Sequence, residues 1–207
     1  MSSLNYFNSI AKDWNKIRVS YFKDELRELA INSVNIKDKT ILDLGSGTGF
    51  ISLRVAKESN IVFPLDASTN MLKELYASAK KENLTNIYPI KGVAEDLPVF
   101  DESIDIIFMN MALHHVANPD KAIKEMFRVL KIGGTVVITD VEEHTGEWAK
   151  EEMFDLWLGF SHKQLTIWYE EAGFKNLDIR STGLKCQGSS SKGEFVNPDI
   201  FIAIGEK

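Results

Sequence analysis

Short apolar runs alternate with amphipathic helical patterns along most of the chain after residue 35. Continuously apolar runs are typical of strands buried on both faces of a sheet, and apolar residues three and four apart are typical of covering helices. The runs predict strands at 40–44, 60–66, 86–91, 104–110 and 134–140. The helical patterns predict helices near 49–58, 68–82 and 119–131. This alternation predicts a parallel sheet with helices on both faces.

The end of the chain has a different pattern. The capping box from Ser161 to Gln164 predicts a helix at 161–172, and Gly173 predicts its end. Two strand patterns, at 175–181 and 199–205, follow without a helix between them. We therefore expect these two strands to be antiparallel, because parallel neighbours need a crossover connection.

Composition narrows the class of protein. With 207 residues, 44% of them hydrophobic and 26% charged, the chain suits one α/β domain with a substantial core. The net charge of −6 and the pI near 5.3 argue against a nucleic acid partner. The sequence shows no signal peptide pattern, and no apolar run approaches the ~20 residues of a membrane span. We therefore expect a cytoplasmic protein without a membrane span.

The strongest chemical signal is a glycine-rich turn that follows the first strand, Gly45-x-Gly47-x-Gly49. Such a turn brings backbone N–H groups close to a ligand. Asp66 ends the next strand, where a carboxylate accepts hydrogen bonds from ribose hydroxyls. The pair indicates a nucleoside-containing cofactor. Phe50 stands where a dinucleotide fingerprint needs its third glycine, which argues against a dinucleotide cofactor. No Gly-Lys-Ser/Thr follows the turn, so a P-loop is excluded.

Further segments extend this pattern. They are Gly92-Val-Ala-Glu-Asp-Leu-Pro98, Phe100-Asp-Glu-Ser-Ile-Asp-Ile-Ile-Phe108, Leu113-His-His-Val116 and Arg128-Val-Leu-Lys-Ile-Gly-Gly134. Together with Asp43-Leu-Gly-Ser-Gly-Thr-Gly49 and Asp66, they resemble the motifs of class I S-adenosylmethionine-dependent methyltransferases over roughly residues 5–205. The chain is similar to the ubiquinone/menaquinone-biosynthesis methyltransferase-like branch (methyltransferase type 11).

The resemblance implies an α/β fold: a Rossmann-like, seven-stranded, mostly parallel sheet with a C-terminal antiparallel hairpin and helices on both faces. It implies a single methyltransferase domain over 1–207. The expected parts are N-terminal cap helices (1–36), a cofactor-binding core (37–140), an insert that covers the acceptor site (141–160), and a last helix with the terminal hairpin (161–207). The implied reaction moves a methyl group from S-adenosyl-L-methionine, leaving S-adenosyl-L-homocysteine, to a nucleophilic atom of a small-molecule acceptor.

By the same resemblance, the glycine turn takes the methionine part of the cofactor and Asp66 takes the ribose. The stretch Val93–Glu95 borders the adenine, Asn110 lines the floor, and aromatic residues of the N-terminal helix close the pocket. The implied cofactor-binding residues are Asp43, Gly45, Ser46, Gly47, Thr48, Gly49, Asp66, Ala67, Val93, Ala94, Glu95, Asn110, His115, Tyr6 and Trp14.

Several of these residues also have simpler interpretations. Asp66 could simply be an acidic residue at a helix N-terminus, where the helix dipole stabilises its charge, although we prefer the ribose role. Glu95 could be solvated, as could the adjacent Asp96, and the two interpretations of Glu95 are about even. The N-terminal helix with Tyr6 and Trp14 could be a plain packing helix, which is equally consistent with its pattern.

Three histidines are candidates for the chemistry of the acceptor. His115 or His114 could deprotonate it as a general base. Alternatively the Leu113–Val116 turn is structural, with one imidazole packed against the cofactor and the other bound to backbone groups, and we favour this interpretation. His144 follows the fifth strand and faces the same crevice.

No metal site is predicted. The loop with Asp140, Glu142, Glu143 and His144 could hold a hard cation, but a solvated acidic loop is the preferred interpretation. The single cysteine, Cys186, excludes a disulfide and a multi-cysteine metalloid site.

The acceptor itself is not specified by any motif. The insert at 141–160 carries an apolar cluster, which predicts a helix near 146–158, and we expect at least one of its members to line the acceptor site. The cluster consists of Trp148, Met153, Phe154 and Trp157. Two alternative functions stay open: a nicotinamide-dependent oxidoreductase and a non-catalytic S-adenosylmethionine-binding module. The oligomeric state is also open.

Overall fold

The computed structural model describes residues 2–207. Its main sheet has seven strands, in the order β3-β2-β1-β4-β5-β9-β6. These strands are β1 Thr40–Leu44, β2 Ile61–Asp66, β3 Ile90–Lys91, β4 Ile104–Asn110, β5 Leu130–Val141, β6 Lys175–Lys185 and β9 Asp199–Glu206. A separate two-stranded sheet consists of β7 Gly188–Ser189 and β8 Phe195–Val196. Strands β1 to β5 are parallel, whereas β9 pairs antiparallel with both β5 and β6. The predicted fold class is confirmed.

Helices cover both faces of this sheet. They are α1 Ser3–Ile10, α2 Trp14–Arg18, α3 Asp24–Asn32, α4 Ser52–Val55, α5 Thr69–Lys81, α6 Pro119–Val129, α7 Trp148–Glu152, α8 His162–Ala172 and a 3₁₀ helix at Leu113–His115. Alternate strand residues point to opposite faces, so Ile41 packs with α3, α4 and α5 in one core cluster. Its neighbour Leu42 packs with α6 and α8 in the other.

Local sequence signals place most element boundaries correctly. β1 has the predicted bounds, and α5 and α8 agree with prediction to within one residue. The Ser161 Oγ accepts a hydrogen bond from the backbone N–H of Gln164 at 3.3 Å. Gly173 ends α8 in the left-handed conformation with φ of 104°. These boundaries could be predicted from the sequence because the caps are strong and the apolar periodicity is clear.

Other boundaries differ from the prediction. The strand expected at 86–91 is reduced to Ile90–Lys91, with an isolated bridge at Ile87. Pro89 stands between them and has no N–H to continue the ladder. The helix expected at 49–58 contains only Ser52–Val55 as α-helix, and the insert helix only Trp148–Glu152.

The end of α6 also differs. The pair Gly133–Gly134 is a typical helix stop, but the helix already ends at Val129, where Leu130 becomes extended. The glycines instead lie inside β5, and Gly133 has φ of 77°. They coincide with the register shift between Ile104 and Ile106 of the neighbouring β4. The glycines therefore accommodate an irregular strand rather than ending a helix.

The order of the sheet positions the candidate site. β2 and β3 lie on one side of β1, whereas β4 and β5 lie on its other side. The sheet therefore has a topological switch point at the carboxyl ends of β1 and β4. Ligands of open α/β sheets bind in the crevice at such a point. Within residues 2–207, no helix has both the length and the apolar character to cross a bilayer.

Candidate active site

The glycine turn after β1 lies directly against the end of β4. Gly45 and Gly47 have backbone φ angles of 65° and 53°, which residues other than glycine rarely adopt. A Cβ on Gly45 would lie 2.5 Å from the Ala112 Cβ, well inside van der Waals contact. The turn can therefore approach β4 this closely only with glycine at position 45.

Gly49 performs the packing that a dinucleotide fingerprint assigns to its third glycine. A Cβ at this position would lie 2.9 Å from Leu53 Cγ and 3.0 Å from Leu75 Cγ. The next residue, Phe50, is thereby free to carry a large side chain. Its ring lies 3.9 Å from the Arg18 guanidinium carbon and lines the cavity described below.

Asp66 joins the tip of β2 to the glycine turn. Its Oδ2 accepts a hydrogen bond from the backbone N–H of Gly47 at 2.8 Å, and its Oδ1 accepts one from Ser68 N–H at 2.7 Å. Each oxygen keeps a second lone pair for a ligand hydroxyl. Burial raises the pKa of Asp66, against the opposing effect of the two backbone N–H groups. Ser68 is also the N-cap of α5, so Asp66 stabilises this helix start as well.

A cavity of about 310 Å³ occupies the crevice beside the turn. This volume falls within the roughly 300–1,000 Å³ typical of small-molecule sites. The structure brings eleven of the predicted site residues to its wall: Gly45, Ser46, Gly47, Asp66, Ala67, Val93, Ala94, Glu95, Asn110, His115 and Trp14. These residues come from six separate stretches of the chain, which meet only in the folded protein.

Four predicted site residues lie outside this wall and have structural contacts instead. The Asp43 carboxylate accepts hydrogen bonds from the backbone N–H of Ser52 at 3.0 Å and from its hydroxyl. Burial raises the pKa of Asp43 to about 7. The Thr48 hydroxyl donates to Asn15 Oδ1 at 2.7 Å. Gly49 packs against α4 and α5, as described above, and Tyr6 takes part in the cap.

The Glu95 side chain is fixed by a neighbouring loop and the Asn110 side chain by the neighbouring strand β5. Glu95 Oε1 accepts hydrogen bonds from the backbone N–H groups of Ala117 and Asn118, at 3.1 and 3.2 Å, immediately before α6. Asn110 Oδ1 accepts one from the Thr139 hydroxyl at 2.7 Å. Both residues line the cavity. Each therefore makes a structural hydrogen bond and also forms part of the cavity wall.

The N-terminal helices form a cap over the cavity. The ring of Phe7 lies edge-on to Trp14 at 5.4 Å and to His115 at 4.9 Å. The Tyr6 ring lies 5.1 Å from Phe154. Asn8 fastens the cap, because its Oδ1 accepts a hydrogen bond from the Ser68 hydroxyl at 2.8 Å. The sequence indicated Trp14 but not Phe7, since one aromatic among several on a short helix has no distinguishing signal.

His114 and His115 differ sharply in their electrostatics. His114 Nδ1 lies 2.6 Å from Asp140 Oδ1. Burial alone would disfavour the imidazolium, but Asp140 and Asp155 outweigh it and raise the pKa of His114 to about 9. Burial and the charge on His114 lower the pKa of His115 well below its usual value. His115, which lines the cavity, is therefore the neutral imidazole of the pair.

A second cavity, of about 70 Å³, adjoins the first and shares part of its wall, including Trp14, Met111 and His115. Trp148 and Met153 of the insert also line it. Trp157 lies away from this cavity, and its Nε1 donates to the Val116 carbonyl at 2.9 Å. The sequence missed Met111, whose φ of 51° turns the chain after β4.

The acidic side chains at the end of β5 and in the following loop do not converge on one point. Asp140 is fully buried against His114. Glu142 contacts His162 Nε2 at 3.1 Å, and His144 Nδ1 accepts a hydrogen bond from Gly146 N–H at 3.1 Å. The carboxylates therefore have separate partners, while His144 lines the second cavity.

The chain is similar in sequence to known methyltransferases. Residues 35–176 match the family profile of the methyltransferase domain. The chain is 31% identical over 184 residues to the chloroplastic 2-methyl-6-phytyl-1,4-hydroquinone methyltransferase of Spinacia oleracea, covering 86% of this chain and 52% of that protein. It is 36% identical over 120 residues to the ubiquinone/menaquinone biosynthesis C-methyltransferase UbiE of Xanthomonas oryzae pv. oryzae, covering 53% and 45%. The chain thus spans about half the length of these curated relatives.

Solved structures share the fold. Phosphoethanolamine N-methyltransferase 2 of Haemonchus contortus, in complex with S-adenosyl-L-methionine, superposes with a TM-score of 0.81 at 15% identity and covers 100% of this chain and 60% of its own. The family profile covers well over half of the chain and includes the glycine turn, Asp66 and the Leu113–Val116 turn. The chain belongs to the methyltransferase domain family, in its class I, S-adenosylmethionine-dependent group.

Proposed function

We propose that the protein transfers a methyl group from S-adenosyl-L-methionine to a small-molecule acceptor. The observation that carries this proposal is the cradle beside the first cavity. There the Asp66 carboxylate, the left-handed Gly45 and Gly47, and the Ser46 hydroxyl meet on one wall. The names of the relatives support the reaction class, because both act as methyltransferases on small molecules.

The residues of the cradle fit the proposed cofactor. Ser46 Oγ is buried and has no hydrogen-bond partner among the described residues, although it lies on the cavity wall. A buried hydroxyl without a partner costs free energy, and a polar ligand group would satisfy it. Asp66 has lone pairs available for ribose hydroxyls. When bound, the cofactor supplies a methyl group activated by its sulfonium.

The chain's own contribution is orientation and exclusion of water. The aromatic rings of Phe7 and Trp14 cover the cavity, and their faces favour a cationic group. Holding two reactants in line can supply roughly 7–11 kcal/mol of a barrier through proximity alone. The second cavity, which shares Met111 and His115 with the first, is the proposed acceptor site. Trp148 and Met153 then belong to that site, as the composition of the insert predicts.

An oxidoreductase that uses a nicotinamide cofactor is the weaker alternative. Gly49 takes over the packing of the third fingerprint glycine, so Phe50 carries less weight than the antiparallel β9 next to β5, which the resemblance to methyltransferases implies. A non-catalytic module that binds the cofactor would need only the first cavity. The second cavity beside it, which residues of the insert line, therefore favours the enzyme.

Isothermal titration calorimetry with S-adenosylmethionine, S-adenosylhomocysteine and NADH tests this proposal. We expect the first two to bind and NADH not to bind. Asp66→Ala should weaken S-adenosylhomocysteine binding by about 10- to 100-fold, because hydrogen bonds to a charged group contribute roughly 1.5–3 kcal/mol each. Asp178→Ala, which removes an exposed carboxylate paired with Arg180, is the matched control. Binding of NADH alone would refute the proposal.

A further inference from the structure

Two imidazoles and one carboxylate face one another in the second cavity. His114, His115 and Asp155 each offer one ligand atom, and these atoms lie within 4.8 Å of one another. His114 Nε2 and His115 Nδ1 lie 3.8 and 3.7 Å from the same oxygen of Asp155, Oδ1. These distances exceed a hydrogen bond, but they are close to the separation of about 3.3–3.6 Å between ligands of a tetrahedral ion with bonds of about 2.0–2.2 Å.

The Asp155 carboxylate is the unusual member of this group. Its side chain is only 11% exposed, yet no hydrogen bond within residues 2–207 reaches its carboxylate, and the two imidazoles lie 3.8 and 3.7 Å from its Oδ1. A mostly buried carboxylate without a hydrogen-bond donor is unfavourable. A zinc ion bound between Asp155 and the imidazoles would replace the Nε2 proton of His114 as the positive charge that faces this carboxylate.

Asp140 orients His114 as a metal ligand requires. Its fully buried carboxylate lies 2.6 Å from His114 Nδ1, and it also accepts hydrogen bonds from the backbone N–H groups of His114 and Val141. Metal-binding histidines characteristically donate their other ring N–H to a carboxylate, which fixes the tautomer and the ring orientation. Here that contact leaves Nε2 directed toward Asp155.

His115 can join the same ion with a small change of partner. Its Nδ1 lies 3.3 Å from the Phe154 carbonyl, a long contact for a hydrogen bond, and 3.7 Å from Asp155 Oδ1. Exchanging the carbonyl contact for a metal bond requires the tautomer with its proton on Nε2, so that Nδ1 presents a lone pair. Phe154 and Asp155 are adjacent, so one loop positions both groups around His115.

We propose that His114, His115 and Asp155 bind a zinc ion that keeps one coordination position open toward the second cavity. Imidazole and carboxylate ligands suit Zn²⁺, and three protein ligands with one open position are typical of catalytic zinc. The about 70 Å³ of the cavity, into which His144 and Cys186 also face, provides room for a fourth ligand.

The open position suggests the class of acceptor, and this step rests on the proposed methyl transfer. A thiol or hydroxyl that binds zinc loses its proton to solvent and remains on the metal as an anion, because the metal lowers its pKa. An anionic nucleophile would then be held next to Met111 and His115, which line both cavities. We therefore infer a small thiol or alcohol as the acceptor.

Zinc titration of the tag-free, chelator-treated protein tests the metal site without any methyl donor. Calorimetry should show one Zn²⁺ per chain, and Co²⁺ should give the visible spectrum of a tetrahedral site. Asp155→Asn and His115→Gln should each weaken Zn²⁺ binding by about 100-fold or more. Asp140→Asn should weaken it by about 10- to 100-fold through loss of the orienting contact. Circular dichroism of each variant verifies that it is folded.

The matched control is His162→Gln. His162 also pairs with a carboxylate, Glu142, but this pair is exposed and away from the second cavity, so Zn²⁺ affinity should not change. Absence of stoichiometric zinc binding, or unchanged binding in folded Asp155→Asn and His115→Gln, would overturn the metal site. S-adenosylhomocysteine binding measured on the same sample separates the two proposals. Zinc without this ligand refutes the methyl transfer, and the ligand without zinc refutes the metal site.

Discussion

Gly45 faces Ala112 so closely that a Cβ on Gly45 would lie 2.5 Å from the Ala112 Cβ. Two independent constraints therefore act on Gly45. One is the contact with Ala112, two residues after the end of β4, and the other is its own φ of 65°. The first constraint can be relieved by changing the neighbour, whereas the second cannot. This difference makes the position suitable for a double-mutant experiment.

Gly45→Ala should lower both the free energy of unfolding and the affinity for S-adenosylhomocysteine. The left-handed backbone alone costs an alanine roughly 1–2 kcal/mol, and the Ala112 contact adds to it. In the double variant with Ala112→Gly, we expect part of the loss to be recovered, measured by urea unfolding and calorimetry with Ala112→Gly as the reference. A double variant no more stable than Gly45→Ala would show that the contact is not the cause.

The buried Asp43 should make stability fall as the pH rises. Its pKa is raised to about 7 in the folded protein from a usual value of 3.8. Below pH 4 both the folded and unfolded states are protonated, whereas between pH 4 and 7 only the unfolded state ionises. Asp43 ionisation therefore favours unfolding over this range, by up to about 4 kcal/mol at about 1.4 kcal/mol per pKa unit.

Asp43→Asn tests this dependence, because asparagine accepts the same two hydrogen bonds from Ser52 but does not ionise. Urea unfolding at several pH values should show the variant gaining stability relative to the wild type from pH 4 to 7. Taking the difference cancels the titration of groups that do not interact with Asp43, and Asp66 is the neighbour whose charge acts on it. A difference that stays constant over this range would mean that Asp43 is not held protonated.

Much of the cofactor cradle was readable because its signals are local. The turn from Gly45 to Gly49 needs residues without a Cβ, and Asp66 follows at the end of the next strand. The alternation of side chains along β1 also shows on which face of the sheet each residue lies, which the glycine motif alone does not. Asp43 lies on the same face of β1 as Ile41, so its side chain points beneath α4 instead of into the crevice.

The sequence indicated the insert but not Asp155, because the group of His114, His115 and Asp155 is assembled by tertiary packing. Asp155 lies about 40 residues beyond His114 in an insert without a motif, and it meets the histidines only after the insert folds back onto β5. Phe154, with a left-handed φ of 61°, turns the chain at this point. No periodic pattern predicts such a turn in a non-glycine residue.

Trp148→Phe should keep or increase stability while it alters the second cavity. The Trp148 Nε1 is buried and has no hydrogen-bond partner among the described residues. Phenylalanine removes this unsatisfied donor, which typically costs about 1–3 kcal/mol, but it also loses some packing area. We expect a change of within about 1 kcal/mol in the free energy of unfolding, measured by urea unfolding. A loss above about 3 kcal/mol would show that the ring is required mainly for packing.

The hydrogen bonds of Asn8 should determine how firmly the cap holds the cofactor. Asn8 Oδ1 accepts from the Ser68 hydroxyl at 2.8 Å, and its backbone carbonyl accepts from Asn70 Nδ2 at 2.9 Å. Asn8→Ala removes the first contact and the longer one that Oδ1 accepts from the Asn70 backbone N–H at 3.3 Å. A net contribution of about 0.5–1.5 kcal/mol from the shorter bond alone corresponds to a loss of at least roughly 2- to 10-fold in S-adenosylhomocysteine affinity. Hydrogen exchange should become faster in α1 and α2. Ser9→Ala is the matched control, because Ser9 Oγ bonds only within α1, to the Tyr6 carbonyl. Equal losses in both variants would mean that the helix itself, and not its attachment to α5, governs the affinity.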